Sequence, residues 1–151
     1  MKKDATDRLS RSPIHLLHRA GQCAGDIFHS EMKVGGLTPR QLAVLMTVAQ
    51  NEGLSQTGLV DRTGIDRSTL ADIVRRMQRK GLLQRRRTRE DARAYAVKLT
   101  DEGRRVLRVA EPVGKKVDER ILEALPGKHR EQFVDDLLAI VDALQRMTPK
   151  V

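Results

Sequence analysis

The sequence predicts a mainly α-helical fold that carries one small β-hairpin. Three observations point there. Apolar residues recur at helical spacing in six segments, each opened or closed by a capping residue. Strand-like alternation appears only between Leu83 and Leu99. Positive charge gathers around that change of period: from Arg62 to Arg93 eleven basic residues stand against four acids, net +7 of a formal +9. From Val117 to Asp142 the balance reverses, with seven acids against three bases.

The elements follow in order. Ser12-Pro13 reads as an N-cap with a first-turn proline, opening a helix to about Met32 that carries Leu17, Ala20, Ala24, Ile27 and Phe28 before Gly35-Gly36. Thr38-Pro39-Arg40-Gln41 is a capping box for a second helix with Leu42, Leu45, Met46 and Ala49 as its buried stripe. Ser55 caps a short third helix with Leu59 and Val60. Thr63-Gly64 then turns the chain into a fourth, capped by Asp66, which keeps Leu70, Ile73, Val74 and Met77 inward until Gly81. Leu83 to Arg87 and Ala94 to Leu99 form the hairpin, with Tyr95, Val97 and Leu99 expected on one face and Ala94, Ala96 and Lys98 on the other. Thr100, with Asp101 and Glu102 in a favourable first turn, opens a long fifth helix to about Leu125, with a bend expected near Pro112 or Gly114. Pro126-Gly127 precedes a last helix with Phe133, Leu137, Ile140, Val141 and Leu144.

Composition narrows the function. With 151 residues and 39% hydrophobic content the chain can core one domain with extra helices. No run approaches the roughly 20 apolar residues of a membrane span, and Met1 to Asp7 lacks an apolar export segment, so a cytoplasmic location is expected. A single cysteine, Cys23, leaves no internal disulfide or multi-cysteine zinc site. Two Phe, one Tyr and no Trp give little to stack on unpaired bases, which favours duplex over single-stranded nucleic acid. No nucleophile triad, paired carboxylates or phosphate loop is spaced for catalysis, so neither an enzyme nor a cofactor is expected.

A short helix, a tight turn, a second helix with a polar outer face and a basic hairpin make the layout of a winged helix-turn-helix. The cluster is almost all Arg, whose planar fork suits phosphates and guanine edges. The fourth helix leaves Arg67, Ser68, Thr69, Asp72, Arg75 and Arg76 outward. Arg67, Arg75 and Arg76 can pair with guanine, and Ser68 and Thr69 with a base, a thymine methyl or a phosphate. Asp72 reads as a partner for Arg75 or Arg76. Ser55, Gln56 and Thr57 open the third helix, where free backbone N–H groups suit phosphate. In the hairpin, Arg86, Arg89 and Arg93 are the candidate contacts, with Arg93 entering a minor groove and Asp91 holding a neighbouring Arg. Arg85, Arg86 and Arg87 alternate along a strand and cannot all face one duplex.

Asp91-x-Arg93 followed by Leu99-Thr100-x-x-Gly103, together with Asp66-Arg67-Ser68-Thr69 and Leu37-Thr38-Pro39-Arg40-Gln41, resembles the MarR/SlyA family of bacterial transcription regulators. The resemblance runs from about Ser12 to Leu144. It implies a homodimer interwoven through its terminal helices and repression relieved by a small ligand. The expected organisation is an N-terminal dimerisation helix over 1–36, a DNA-binding winged unit over 37–100 and C-terminal dimerisation helices over 101–151. The apolar stripes of the first and last helices, too long for one chain to cover, argue independently for a dimer, and two-fold symmetry for a pseudo-palindromic operator.

The resemblance also implies an effector crevice lined by the first, second and fifth helices, where this chain offers His15, His18, Arg19 and Gln22, then Arg40, Val44 and Thr47. Apolar neighbours beside His and Arg suit an amphipathic acid. The stretch Pro13 to Gln22 resembles regulators of aromatic-acid catabolism, including ones answering to hydroxycinnamoyl-CoA thioesters. An aromatic carboxylate or acyl-CoA is therefore the expected effector. His15, His18, Asp26 and His29 can cluster, but two His at three-residue spacing have no clear third ligand, and no metal site is expected. Cys23 reads as a small buried apolar residue; the alternatives are a redox trigger at Cys23 or a non-sensing architectural DNA binder.

Overall fold

A computed structural model describes residues 7–87 and 95–149. After a 3-10 turn at Leu9–Arg11 come α1 (Pro13–Glu31), α2 (Pro39–Gln50), α3 (Gln56–Thr63), α4 (Arg67–Arg79), β1 (Leu83–Arg87), β2 (Tyr95–Leu99), α5 (Asp101–Leu122) and α6 (Gly127–Met147). The expected mainly helical fold with a hairpin is what forms.

The caps account for the boundaries. Ser12 accepts from the His15 N–H, Ser55 from Gly58 and Asp66 from Thr69. At α2 the box closes in both directions: the Gln41 N–H donates to Thr38 Oγ1 and the Thr38 N–H to Gln41 Oε1, each at 3.2 Å. Between α3 and α4 the chain reverses through Gly64 at φ 69°, a left-handed conformation that glycine adopts without a Cβ clash.

The described residues up to Val117 form one compact unit, and those from Asp118 a second. In the first, Leu45, Leu59, Leu70, Met77, Val74 and Val97 are fully buried, each worth about 1.5–3 kcal/mol relative to exposure. The same core takes Phe28 from α1, Met32 just after it, and Val106, Leu107, Ala110 and Val117 from α5. It therefore crosses the boundaries expected at 36 and 100, because the winged unit alone leaves apolar surface that α1 and α5 cover. On α2 the buried arc is Gln41, Leu42, Val44, Leu45 and Val48; the expected Ala49 is exposed and Met46 half-buried, since core packs on the 41–45–48 side.

β1 and β2 pair antiparallel, Leu83 opposite Leu99, Arg85 opposite Val97 and Arg87 opposite Tyr95. The expected in-out alternation of β2 is corrected: Tyr95 is exposed and Ala96 buried. The reason is a third backbone segment on the far edge of β2. The Val97 N–H donates to Leu54 O at 3.0 Å and Ser55 bridges Ala96, so the loop entering α3 covers Ala96 and anchors the hairpin to the helix-turn-helix.

Leu99-Thr100-x-x-Gly103 has a packing reason. The Thr100 hydroxyl donates to Gly81 O at 2.6 Å and accepts from the Gly103 N–H at 2.9 Å, while the Thr100 N–H donates to Leu82 O. A Cβ on Gly103 would stand 2.1 Å from that Leu82 oxygen. One threonine and one glycine thus join the end of α4 to the start of α5. α5 continues through Pro112, and Gly114 sits where a Cβ would meet Leu42 at 2.7 Å.

In the second unit α6 buries no residue. Leu138, Val141 and Leu144 are at least half exposed or close to it, at 62%, 49% and 50%. Among the described residues no helix is long and apolar enough to cross a membrane.

Candidate nucleic-acid interface

The outer face of α4 is built from its N-cap. Asp66 Oδ1 accepts from the Thr69 N–H and from the Ser68 hydroxyl, both at 2.9 Å, and Oδ2 accepts from the Thr69 hydroxyl at 2.7 Å. These hydrogen bonds, the Thr69 hydroxyl foremost, lower the Asp66 carboxyl from 3.8 to about 2. Ser68 and Thr69, expected to contact DNA through their hydroxyls, have both hydroxyl protons committed to Asp66. What they keep for a partner is the lone pairs of the hydroxyl oxygens.

Further along, Asp72 pairs with Arg76 at 3.0 Å and with Arg75 at 3.8 Å, as the sequence suggested. Both guanidiniums stay more than half exposed and keep N–H groups free for an acceptor. Arg67, at the first helical position, is exposed. Lys80 closes the C-terminal end, its Nζ donating to Gly35 O at 3.1 Å and tying the α1–α2 loop to α4.

At the start of α3, Ser55 Oγ accepts from the Gly58 N–H at 3.0 Å and keeps its hydroxyl proton to donate to a phosphate, beside half-buried Gln56 and exposed Thr57. On the hairpin, Arg85 and Arg87 share one face and Arg86 takes the other. Arg86 and Arg87 are exposed, with Arg87 stacked 5.9 Å above the Tyr95 ring. Arg85 is half-buried against Val97, and its buried Nε has no hydrogen-bond partner among the described residues. Arg89, Asp91 and Arg93 lie outside the described residues.

A profile described as the MarR family matches residues 35–94, a span that holds α2, α3, α4 and β1. The transcriptional regulator HosA of Escherichia coli O111:H- is 35% identical over 107 residues, covering 71% of this chain and 79% of that protein. The chain belongs to the MarR family. Among solved structures, the MarR-type fold is similar to the PcaV transcriptional regulator of Streptomyces coelicolor in complex with its natural ligand (33% identity, 90% of this chain and 96% of that one, TM-score 0.84). It is also similar to the repressor CouR bound to a 23-mer DNA duplex (28% identity, 88% and 94%, TM-score 0.77). CouR from Rhodococcus jostii RHA1 has been solved with p-coumaroyl-CoA too (28% identity, 87% and 93%, TM-score 0.74). The protein is a winged-helix transcription regulator of this family.

The residues expected to bind an effector are only partly grouped. His18, Arg19 and Gln22 are exposed on α1, and His15 is half-buried in its first turn. Arg40 lines a cleft with Ala43, Thr63, Gly64, Ile65 and Asp66, which holds no residue of α1. Val44 is a correction: with no exposed surface, it is part of the core because the α2 arc that packs on it includes position 44. Thr47 is half-buried and donates its hydroxyl to Ala43 O at 2.7 Å. Cys23 is a second correction, exposed rather than buried. It lies five residues before Phe28, about 140° around the helix from the side that enters the core. Among the described residues no three His, Cys, Asp or Glu side chains gather as a metal site.

Sequence reasoning missed the Asp66 network and the Leu54–Ser55 edge. The first was legible, because an Asp N-cap followed by Ser and Thr at the second and third helical positions places two hydroxyls within reach of one carboxylate. The second was not, since a single bridge leaves no periodic trace.

Proposed function

We propose that the protein is a homodimeric repressor that binds a pseudo-palindromic duplex operator through α4 and the wing, and leaves it when a small aromatic acid or aromatic acyl-CoA binds. The observation that carries this reading is the exposed arginine face of α4 on a fold that, in relatives at 28–33% identity, has been solved with a DNA duplex, with a natural ligand and with p-coumaroyl-CoA. Arg67, Arg75 and Arg76 supply the charged donors, Ser55, Gln56 and Thr57 the groups at the start of α3, and Arg86 with Arg89 and Arg93 the wing contacts. Dimerisation is supported by apolar surface on Ile14, Leu16 and Leu17 of α1 and Leu138, Val141 and Leu144 of α6, which a lone chain leaves in water. Effector binding falls to His15, His18, Arg19 and Gln22, with Arg40 and Thr47.

The test is a mobility shift on DNA flanking the protein's own coding sequence, with and without aromatic carboxylates and their CoA thioesters, beside a thermal shift with the same compounds. The expected result is a retarded duplex released by at least one compound that also raises Tm. Retention of the duplex with every compound, and no change in Tm, overturns the effector and supports an architectural binder. The exposure of Cys23 favours a second trigger, oxidation. Release by peroxide that is abolished in Cys23→Ser supports it.

A further inference from the structure

The hydroxyl network at the start of α4 decides more than helix capping. A hydroxyl has one proton to donate and two lone pairs to accept with, whereas an ionised carboxylate can only accept. Asp66 receives the Ser68 proton at 2.9 Å and the Thr69 proton at 2.7 Å, so the direction of both bonds is fixed by the carboxylate. The low carboxyl pKa, about 2, keeps Asp66 in its accepting form throughout the neutral range. Ser68 is exposed and Thr69 half-buried, so the oxygen lone pairs remain available to a molecule that approaches this end of the helix.

We infer that Asp66 sets the base-reading polarity of two positions of α4: it turns Ser68 and Thr69 into hydrogen-bond acceptors, so these two residues select the exocyclic amino groups of adenine or cytosine. The inference rests on the reading of α4 as the helix that enters the major groove. There, adenine N6 and cytosine N4 are the donors, and guanine O6, the purine N7 atoms and thymine O4 the acceptors. A serine or threonine with a free proton reads either kind. Here the acceptor atoms meet only repulsion from Ser68, Thr69 and the carboxylate behind them. Farther along the same face the polarity is opposite, because Arg75 and Arg76 have only donors, and Asp72 holds both without neutralising every N–H. α4 therefore presents hydroxyl acceptors at Ser68 and Thr69, with the donors of Arg67 before them and of Arg75 and Arg76 after them.

The experiment uses the full chain and the duplex that it selects from a randomised library. Each adenine in the selected site is replaced singly by purine, and each cytosine by 2-pyrimidinone, which removes the amino group and little else. Wild type is expected to lose about fivefold in affinity at one or two positions, and Ser68→Ala or Thr69→Val to show no further loss there. In Asp66→Asn the amide oxygen still caps the helix while its nitrogen takes the place of Oδ2 and donates to Thr69 Oγ1. The Thr69 proton then turns outward, so the amino-group dependence at the Thr69 position disappears while helix content by circular dichroism is kept. Dependence on keto oxygens but on no amino group at the positions sensitive to Ser68→Ala and Thr69→Val overturns the inference. Failure of wild type to select any duplex overturns the DNA reading and this inference together.

Discussion

Leu70, Ile73, Val74 and Met77 of α4 are buried, whereas α6, with an apolar stripe just as regular, buries nothing within its own chain. The opposite faces differ as well. α4 shows arginines held by one aspartate, and α6 shows Asp135, Asp136 and Asp142, with Arg146 paired to Asp142 at 3.6 Å toward its end. Periodicity in a sequence says that a face is to be covered. It does not say by what. For α4 the cover is the helix-turn-helix core, and the polar face is then free to meet an anion. For α6 the cover has to come from elsewhere, and its acidic flank is unsuited to a phosphate backbone.

The contrast can be broken at either end. Leu70→Ala empties a fully enclosed site and should lower stability by about 2–5 kcal/mol, read as a fall in the urea midpoint with loss of duplex binding. Leu138→Glu combined with Val141→Glu should leave that midpoint nearly unchanged for the winged unit but shift sedimentation from dimer to monomer. Persistence of the dimer would remove α6 from the interface. Gly103→Ala tests the join between α4 and α5: helix propensity favours alanine by up to about 1 kcal/mol, but the clash with Leu82 O should win, with a net loss of about 1–3 kcal/mol in the same titration.

Smaller effects sharpen the α4 side. Arg67→Ala should reduce the slope of log affinity against log salt by about one and leave the sedimentation coefficient of the free protein unchanged. An unchanged slope would move Arg67 off the DNA. Because the Asp66 carboxyl is lowered to about 2 in the folded chain, its capping contribution is complete above the ordinary value of 3.8 and is lost as pH falls through 2. Acid titration by circular dichroism should therefore show helix loss between about pH 4 and 2 that is reduced in Asp66→Asn, whose cap does not titrate.

Much of this was present in the sequence. The Thr38–Gln41 box, the caps at Ser12, Ser55 and Asp66, and the Gly64 turn each depend on atoms within four residues, so their geometry follows from local order of residue types. The arginine block and its separation from the acidic end are arithmetic on the chain itself. Tertiary structure decided what depends on distant partners: that Leu54 and Ser55 cover Ala96, that Val44 is core while Cys23 is exposed, and that Leu82 O occupies the space a Gly103 side chain would need. Short-range hydrogen bonds fix where helices begin and end. Which of their faces meets core, solvent or ligand is set by segments far away in the chain, whose approach no local pattern encodes.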